Sequence, residues 1–175
     1  MKVIVGTTAC LFALLLCQGC TQKEESTSGK EGSGVKSQAE VILEKTILDL
    51  SNAHTEFPKT KQPQSILRFF TQDYTGIANG KAKTLKDIEK YLSDLLERIN
   101  LGEPIGISSK IEINKSGVSG TWGWVICDYE YKVGSGGALL QSEKGKCTGI
   151  FKKQGDSWLI QHDHCSTDNS YPFLR

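Results

Sequence analysis

The chain has 175 residues, with 21 basic and 20 acidic side chains and a formal net charge of +1. That balance, with no clustered Lys or Arg, excludes a phosphate-gripping surface and so argues against nucleic acid as a partner. Past the first residues no apolar run approaches the roughly 20 residues of a membrane span, and no internal repeat is present.

Lys2 precedes an apolar and small-residue stretch from Val3 to Leu16, the pattern of a secretory leader. It ends in Leu16-Cys17-Gln18-Gly19-Cys20, which resembles a bacterial lipobox, although Cys17 stands where a leucine is usual. The expectation is a lipoprotein-type signal over residues 1–19 and lipidation of Cys20. The protein would then be exported and held in the cell envelope, on the periplasmic side, at the outer membrane rather than the inner, touching the bilayer only through its lipid. Residues 20–37 are, after Cys20, Gly, Ser, Thr, Lys, Glu and Gln with one Val, too polar to bury anything, and read as a disordered tether. The leader holds one lysine and no acid, so the remainder carries 20 charges of each sign. Residues 38–175 suffice for one domain with one core.

Within that domain, Leu43, Ile47, Leu50, His54 and Phe57 form an apolar stripe at helical spacing, and Pro58 is expected to end the helix. A short second helix is expected from Pro63 to about Thr71. Residues 74–78 read as extended, and Asn79-Gly80 as a turn. Thr84 with Asp87 resembles a capping box opening a third helix, striped by Leu85, Ile88, Leu92, Leu95 and Ile99 and closing near Leu101-Gly102. Alternation then predicts one strand on Ile105, Ile107, Ile111 and Ile113, and three more over residues 118–133, 145–153 and 158–166. Helices followed by a strand meander predict an α+β fold: three helices packed in the concave face of a strongly curved antiparallel sheet.

Two turns give the strands a register, and charge pairing then assigns the faces. Centring the Gly134–Gly137 loop at residue 137 sets Asp128 opposite Lys146 and Glu130 opposite Lys144, which suits a wetted face. Gly123, Val125, Cys127, Tyr129 and Tyr131 then face inward. A two-residue turn at Gly155-Asp156 sets Gly149 opposite His162 and Cys147 opposite His164, aiming both histidines inward. His162 and His164 thereby become the best catalytic candidates. The predicted ligand pocket comprises His54, Tyr74, Tyr129, Gly149, His162 and His164, with Gly149 leaving room beside His162. Imidazole transfers protons near neutral pH, and a neighbouring hydroxyl fixes its tautomer. His54 has the alternative of a hydrogen-bonded core histidine.

Cys127 opposite Cys147 admits a disulfide or two buried thiols. With the two histidines a zinc site is conceivable, but one shared face does not bring four ligands to tetrahedral reach, so no metal is expected. Trp122, Trp124, Ile126 and Ile150 fall on the outer face as an apolar patch suited to a homodimer. No phosphate loop or nucleophile elbow occurs, and no cofactor is expected.

The segment Phe70-Thr-Gln-Asp73-Tyr74-Thr-Gly-Ile-Ala-Asn79-Gly80-Lys81, the helix led by Leu85 and Ile88, and the ending Trp158-Leu-Ile160-Gln-His162-Asp-His164-Cys-Ser166 resemble the SnoaL-like branch of the nuclear-transport-factor-2-like superfamily. The final strand is also similar to the calcium/calmodulin-dependent kinase association domain. The resemblance spans roughly residues 39–166 and implies a cone of three helices wrapped by a sheet, often dimeric. Its members include isomerases, dehydratases, epoxide hydrolases and polyketide cyclases, so shared fold leaves the reaction open. The association domain's pocket arginines have no counterpart here, and the frequent Gly-Asp before the second helix is replaced by Lys61-Gln62-Pro63. Two functions stand: a module binding a small, largely apolar molecule with proton-transfer chemistry of isomerase or dehydratase type, or a non-catalytic homodimeric scaffold with a filled cone. An open cavity of several hundred Å³ favours the first.

Overall fold

A computed structural model describes residues 35–170, with the side chains of residues 169 and 170 left aside. The signal segment, Cys20 and nearly all of the tether lie outside the described residues. Helix α1 runs Gln38–Thr60, α2 Gln64–Leu67 and α3 Leu85–Asn100. The strands are β1 Phe70–Ala78, β2 Lys81–Thr84, β3 Ile105–Ser119, β4 Trp122–Ser135, β5 Ala138–Gln154 and β6 Ser157–Ser170. They form one curved sheet in the order β2-β1-β6-β5-β4-β3, with the helices on its inner face.

Local chemistry explains the boundaries. Ser37 caps α1 through a reciprocal pair with Glu40. Pro58 does not stop the helix, contrary to expectation. It removes one backbone donor in the last turn, and the chain leaves only at Lys61, whose φ of 55° is left-handed. The second helix is a single turn, because Phe70 and Thr71, aromatic and β-branched, are taken into β1 instead. Asn79 and Gly80, at φ 51° and 75°, make the tight β1–β2 turn. At α3 the Asp87 carboxylate accepts from the Thr84 backbone N–H and hydroxyl, as the capping pattern requires. Residues 118 and 119 belong to β3, since a turn at Gly120, φ 59°, separates them from β4.

The sheet is mixed where an antiparallel one was expected. β1 lies parallel to β6 while every other pair is antiparallel, because the last strand of the β3–β6 meander comes back beside β1. The core lies between α1, α3 and the sheet: Leu43, Phe57, Ile66, Leu92, Phe151 and Trp158 are almost wholly buried. Each such side chain contributes on the order of 1.5–3 kcal/mol of transfer free energy.

Candidate functional site

The β4–β5 hairpin has the register that the loop centred at residue 137 predicted: Cys127 faces Cys147, Asp128 faces Lys146, and Glu130 faces Lys144. Lys146 Nζ donates to Asp128 at 2.6 Å on the wetted side. Val125, Cys127, Tyr129 and Tyr131 accordingly line the interior.

The β5–β6 hairpin departs from expectation at one residue. Phe151 still faces Ile160, but Ile150 faces His162, Gly149 faces Asp163 and Cys147 faces Cys165. A bulge at Gln161 inserts one extra residue, and with a side-chain period of two every later side chain changes face. Trp158 and Ile160 point inward, and so do Asp163 and Cys165. His162 and His164 therefore do not line the cavity. His162 Nδ1 is 3.0 Å from Thr75 Oγ1 on the outer face, and His164 is exposed opposite Thr148. Their assignment as pocket acid–base groups is overturned, and Asp163, between them, takes the inward position. Gly149 faces Asp163, and the space above it holds the Phe151 ring, 2.9 Å from where a β-carbon would stand.

The cysteine pairing changes for the same reason. Cys147 is bonded to Cys165, not to Cys127, which stays a buried thiol. Burial, then the charges of Asp128 and Asp163, push the Cys127 thiol up to about 11, so it has little thiolate character. The two bonded sulfurs and the Asp163 carboxylate lie within 4.8 Å of one another, but sulfurs joined in a disulfide offer no thiolate to a metal.

Between the helices and the sheet lies a cavity of about 430 Å³. Its walls are largely apolar (Ile47, Leu50, Phe70, Ile88, Ile111, Val125, Phe151 and Ile160), with polar groups at two poles. At the first, Tyr74 Oη and Asp163 Oδ1 converge over Gly76. A β-carbon there would stand 2.3 Å from one and 2.5 Å from the other, so only glycine admits both. Both oxygens are buried, and neither has an aligned hydrogen-bond partner among the described residues. Lys83 Nζ lies 3.8 Å from Asp163 Oδ1 as a loose ion pair. Burial first, and the Asp163 charge second, raise the Tyr74 phenol far above its ordinary value, so it keeps its proton as a donor.

At the second pole a chain of hydrogen bonds crosses from helix to sheet. Tyr91 donates to Gln141 Oε1 at 3.3 Å, and Gln141 Nε2 donates to Glu143 Oε1 at 2.9 Å. With the Tyr91 proton so committed, the 3.0 Å contact between the two phenols has Tyr131 donating to Tyr91. His54 packs edge-on to Tyr131, ring centroids 5.7 Å apart. Its Nδ1 is 3.0 Å from the Leu50 carbonyl, which can only accept, so Nδ1 carries the proton. Burial lowers the His54 pKa, keeping the ring neutral at pH 7. Tyr129 lines the cavity and is pushed up to about 12 by burial and then by Glu143.

Of the predicted pocket residues, the structure thus brings His54, Tyr74, Tyr129 and Gly149 to the cavity wall and turns His162 and His164 away. Sequence reasoning missed Asp163, Glu143, Tyr91, Tyr131 and Gln141 as pocket groups. A pairing of Cys147 with Cys165 was the signal that could have revealed Asp163, since it forces the bulge.

Trp122, Trp124, Ile126 and Ile150 stand on the outer face. Trp122 is 47% exposed, while the Trp124 ring covers Gly117, 2.7 Å from where a β-carbon would stand.

No family model matches the chain, and no curated protein matches it. Solved structures do. A conserved protein from Planctomyces limnophilus superposes with a TM-score of 0.59 at 16% identity, over 75% of this chain and 96% of that one. A ketosteroid isomerase-like protein from Erwinia carotovora atroseptica gives 0.56 at 14% identity, over 77% and 99%. A putative scytalone dehydratase from Novosphingobium aromaticivorans gives 0.56 at 17%, over 77% and 87%. At such identities the likeness shows the fold alone: the domain folds as these structures do, with helices packed on the inner face of a curved sheet.

Proposed function

We propose that the cone binds a small, largely apolar molecule and transfers a proton on it, with Asp163 as the base. The observation that carries this reading is the convergence of the Tyr74 hydroxyl and the Asp163 carboxylate, both without aligned partners, at one end of an apolar cavity. Asp163 would take a proton from a carbon beside a carbonyl. Tyr74, still protonated, would donate to the carbonyl oxygen as it gains charge. Returning the proton elsewhere isomerises the molecule; losing a β-hydroxyl dehydrates it. Kinship of fold with the isomerase-like and dehydratase-like structures supports this class of reaction.

The test is a thermal-shift and turnover screen of cyclic ketones and hydroxy-ketones on the full chain, then on Asp163→Asn. A hit whose turnover falls about 100-fold or more in the variant, with binding kept, supports the reading. Unchanged turnover removes Asp163 as base.

We also propose that the outer face around Trp122 meets a second copy, supported by its 47% exposure. Trp122→Lys should shift sedimentation to the monomer. Export and lipidation at Cys20 remain the reading of the leader sequence, and loss of labelled fatty acid in Cys20→Ser tests it.

A further inference from the structure

The cavity's charges are lopsided. Among its described lining residues the carboxylates are Asp87, Glu143 and Asp163, and the ammonium is Lys83 alone. Asp87 is tied to the Thr84 cap, and Asp163 has Lys83 at 3.8 Å. Glu143, half-buried, makes no ion pair among the described residues. One of its oxygens is positioned by Gln141; the other has no hydrogen-bond partner there.

Three tyrosines gather about that carboxylate. Tyr131 is its cross-strand neighbour, Tyr91 reaches it through Gln141, and Tyr129 lines the same cavity; burial first, and the Glu143 charge after it, raise all three phenols. The hydrogen bonds from Tyr131 through Tyr91 and Gln141 run toward Glu143 and fix it. A half-buried carboxylate with no counter-charge carries a desolvation cost that a cation would offset, and tyrosine rings and oxygens are the surroundings an ammonium takes. His54 adds an acceptor: with its proton on Nδ1, its Nε2 presents a lone pair. A carboxylate or phosphate would meet repulsion here.

We propose that Glu143, Tyr91, Tyr129 and Tyr131 form a recognition subsite for a protonated amine, so that the cavity's ligand is an apolar body carrying a cationic amine head. This rests on the reading that the cavity holds a small apolar molecule, and it names that molecule's class.

Three probes sharing one phenyl ring separate the two ideas: phenethylamine, phenethyl alcohol and hydrocinnamate, titrated calorimetrically into the full chain. The expected order is amine first, tighter than the alcohol by roughly tenfold, with the carboxylate weakest. Glu143→Gln should erase the preference for the amine and leave the alcohol's affinity as it was. A carboxylate that binds as tightly as the amine overturns the subsite, as does a preference that survives Glu143→Gln. Should that variant fail to fold, the ranking of the three heads on the unaltered protein still decides. Equal binding of amine and alcohol removes the subsite alone; binding of none removes the ligand cavity with it.

Discussion

The cavity's two poles are built in opposite ways. At the Asp163 pole the reactive oxygens lack aligned partners and are held by covalent and steric means: the disulfide between Cys147 and Cys165 staples the strand beneath them, and Gly76 gives them room. At the Glu143 pole the oxygens are held by one another, in a chain of phenols and an amide that spans α3, β4 and β5. A group that must exchange a proton with a ligand gains from being held loosely, as Lys83 holds Asp163 at 3.8 Å, whereas a group that orients a ligand gains from being fixed.

Breaking the covalent pole should cost most. Replacing both Cys147 and Cys165 with serine removes a cross-link closing 18 residues, at about 3 kcal/mol, or roughly a 10 °C fall in melting temperature by calorimetry. A melt unchanged within about 2 °C would show that the strand pairing alone holds Asp163. Gly76→Ala should come next, at about 1–3 kcal/mol, since its methyl collides with Tyr74 Oη and Asp163 Oδ1. It should abolish turnover of any substrate found while leaving amine binding at the other pole, and loss of both together would show that the poles are not separable.

The hydrogen-bonded pole should yield less. Tyr91→Phe removes the donor to Gln141 and the acceptor for Tyr131, at about 1 kcal/mol by urea titration, and loosens Glu143. The smallest effect is acid sensitivity at His54, which faces Tyr131 and the Leu50 carbonyl. Its folded pKa lies below the ordinary 6.5, so the unfolded chain takes up a proton that the folded chain refuses. Its contribution is complete above 6.5 and declines as pH falls below that value toward the folded pKa. His54→Gln should flatten that slope in urea melts between about pH 7.5 and about pH 5.5, and an unaltered slope would place the titration elsewhere.

Two adjacent hairpins show what was legible. In β4–β5 the opposed charges Asp128–Lys146 and Glu130–Lys144 penalise any one-residue slip, so the sequence encodes its register directly. In β5–β6 no such pairs exist, and a turn at Gly155-Asp156 fixes the register only as far as Phe151 and Ile160. Beyond them the bulge reverses the faces of His162, Asp163, His164 and Cys165 together.

By itself, then, the sequence determined the class of fold, the helix stripes, the cap at Thr84, the turn at Gly80, and the inward face of β4, because each follows from neighbours a few residues apart or from one charged pairing. Only the tertiary structure decided that β1 runs parallel beside β6, that Cys165 rather than Cys127 bonds Cys147, and that an aspartate rather than two histidines enters the cone. Those outcomes depend on a single inserted residue and on strands nearly 90 positions apart, such as Thr75 beside His162, where local pattern carries no information.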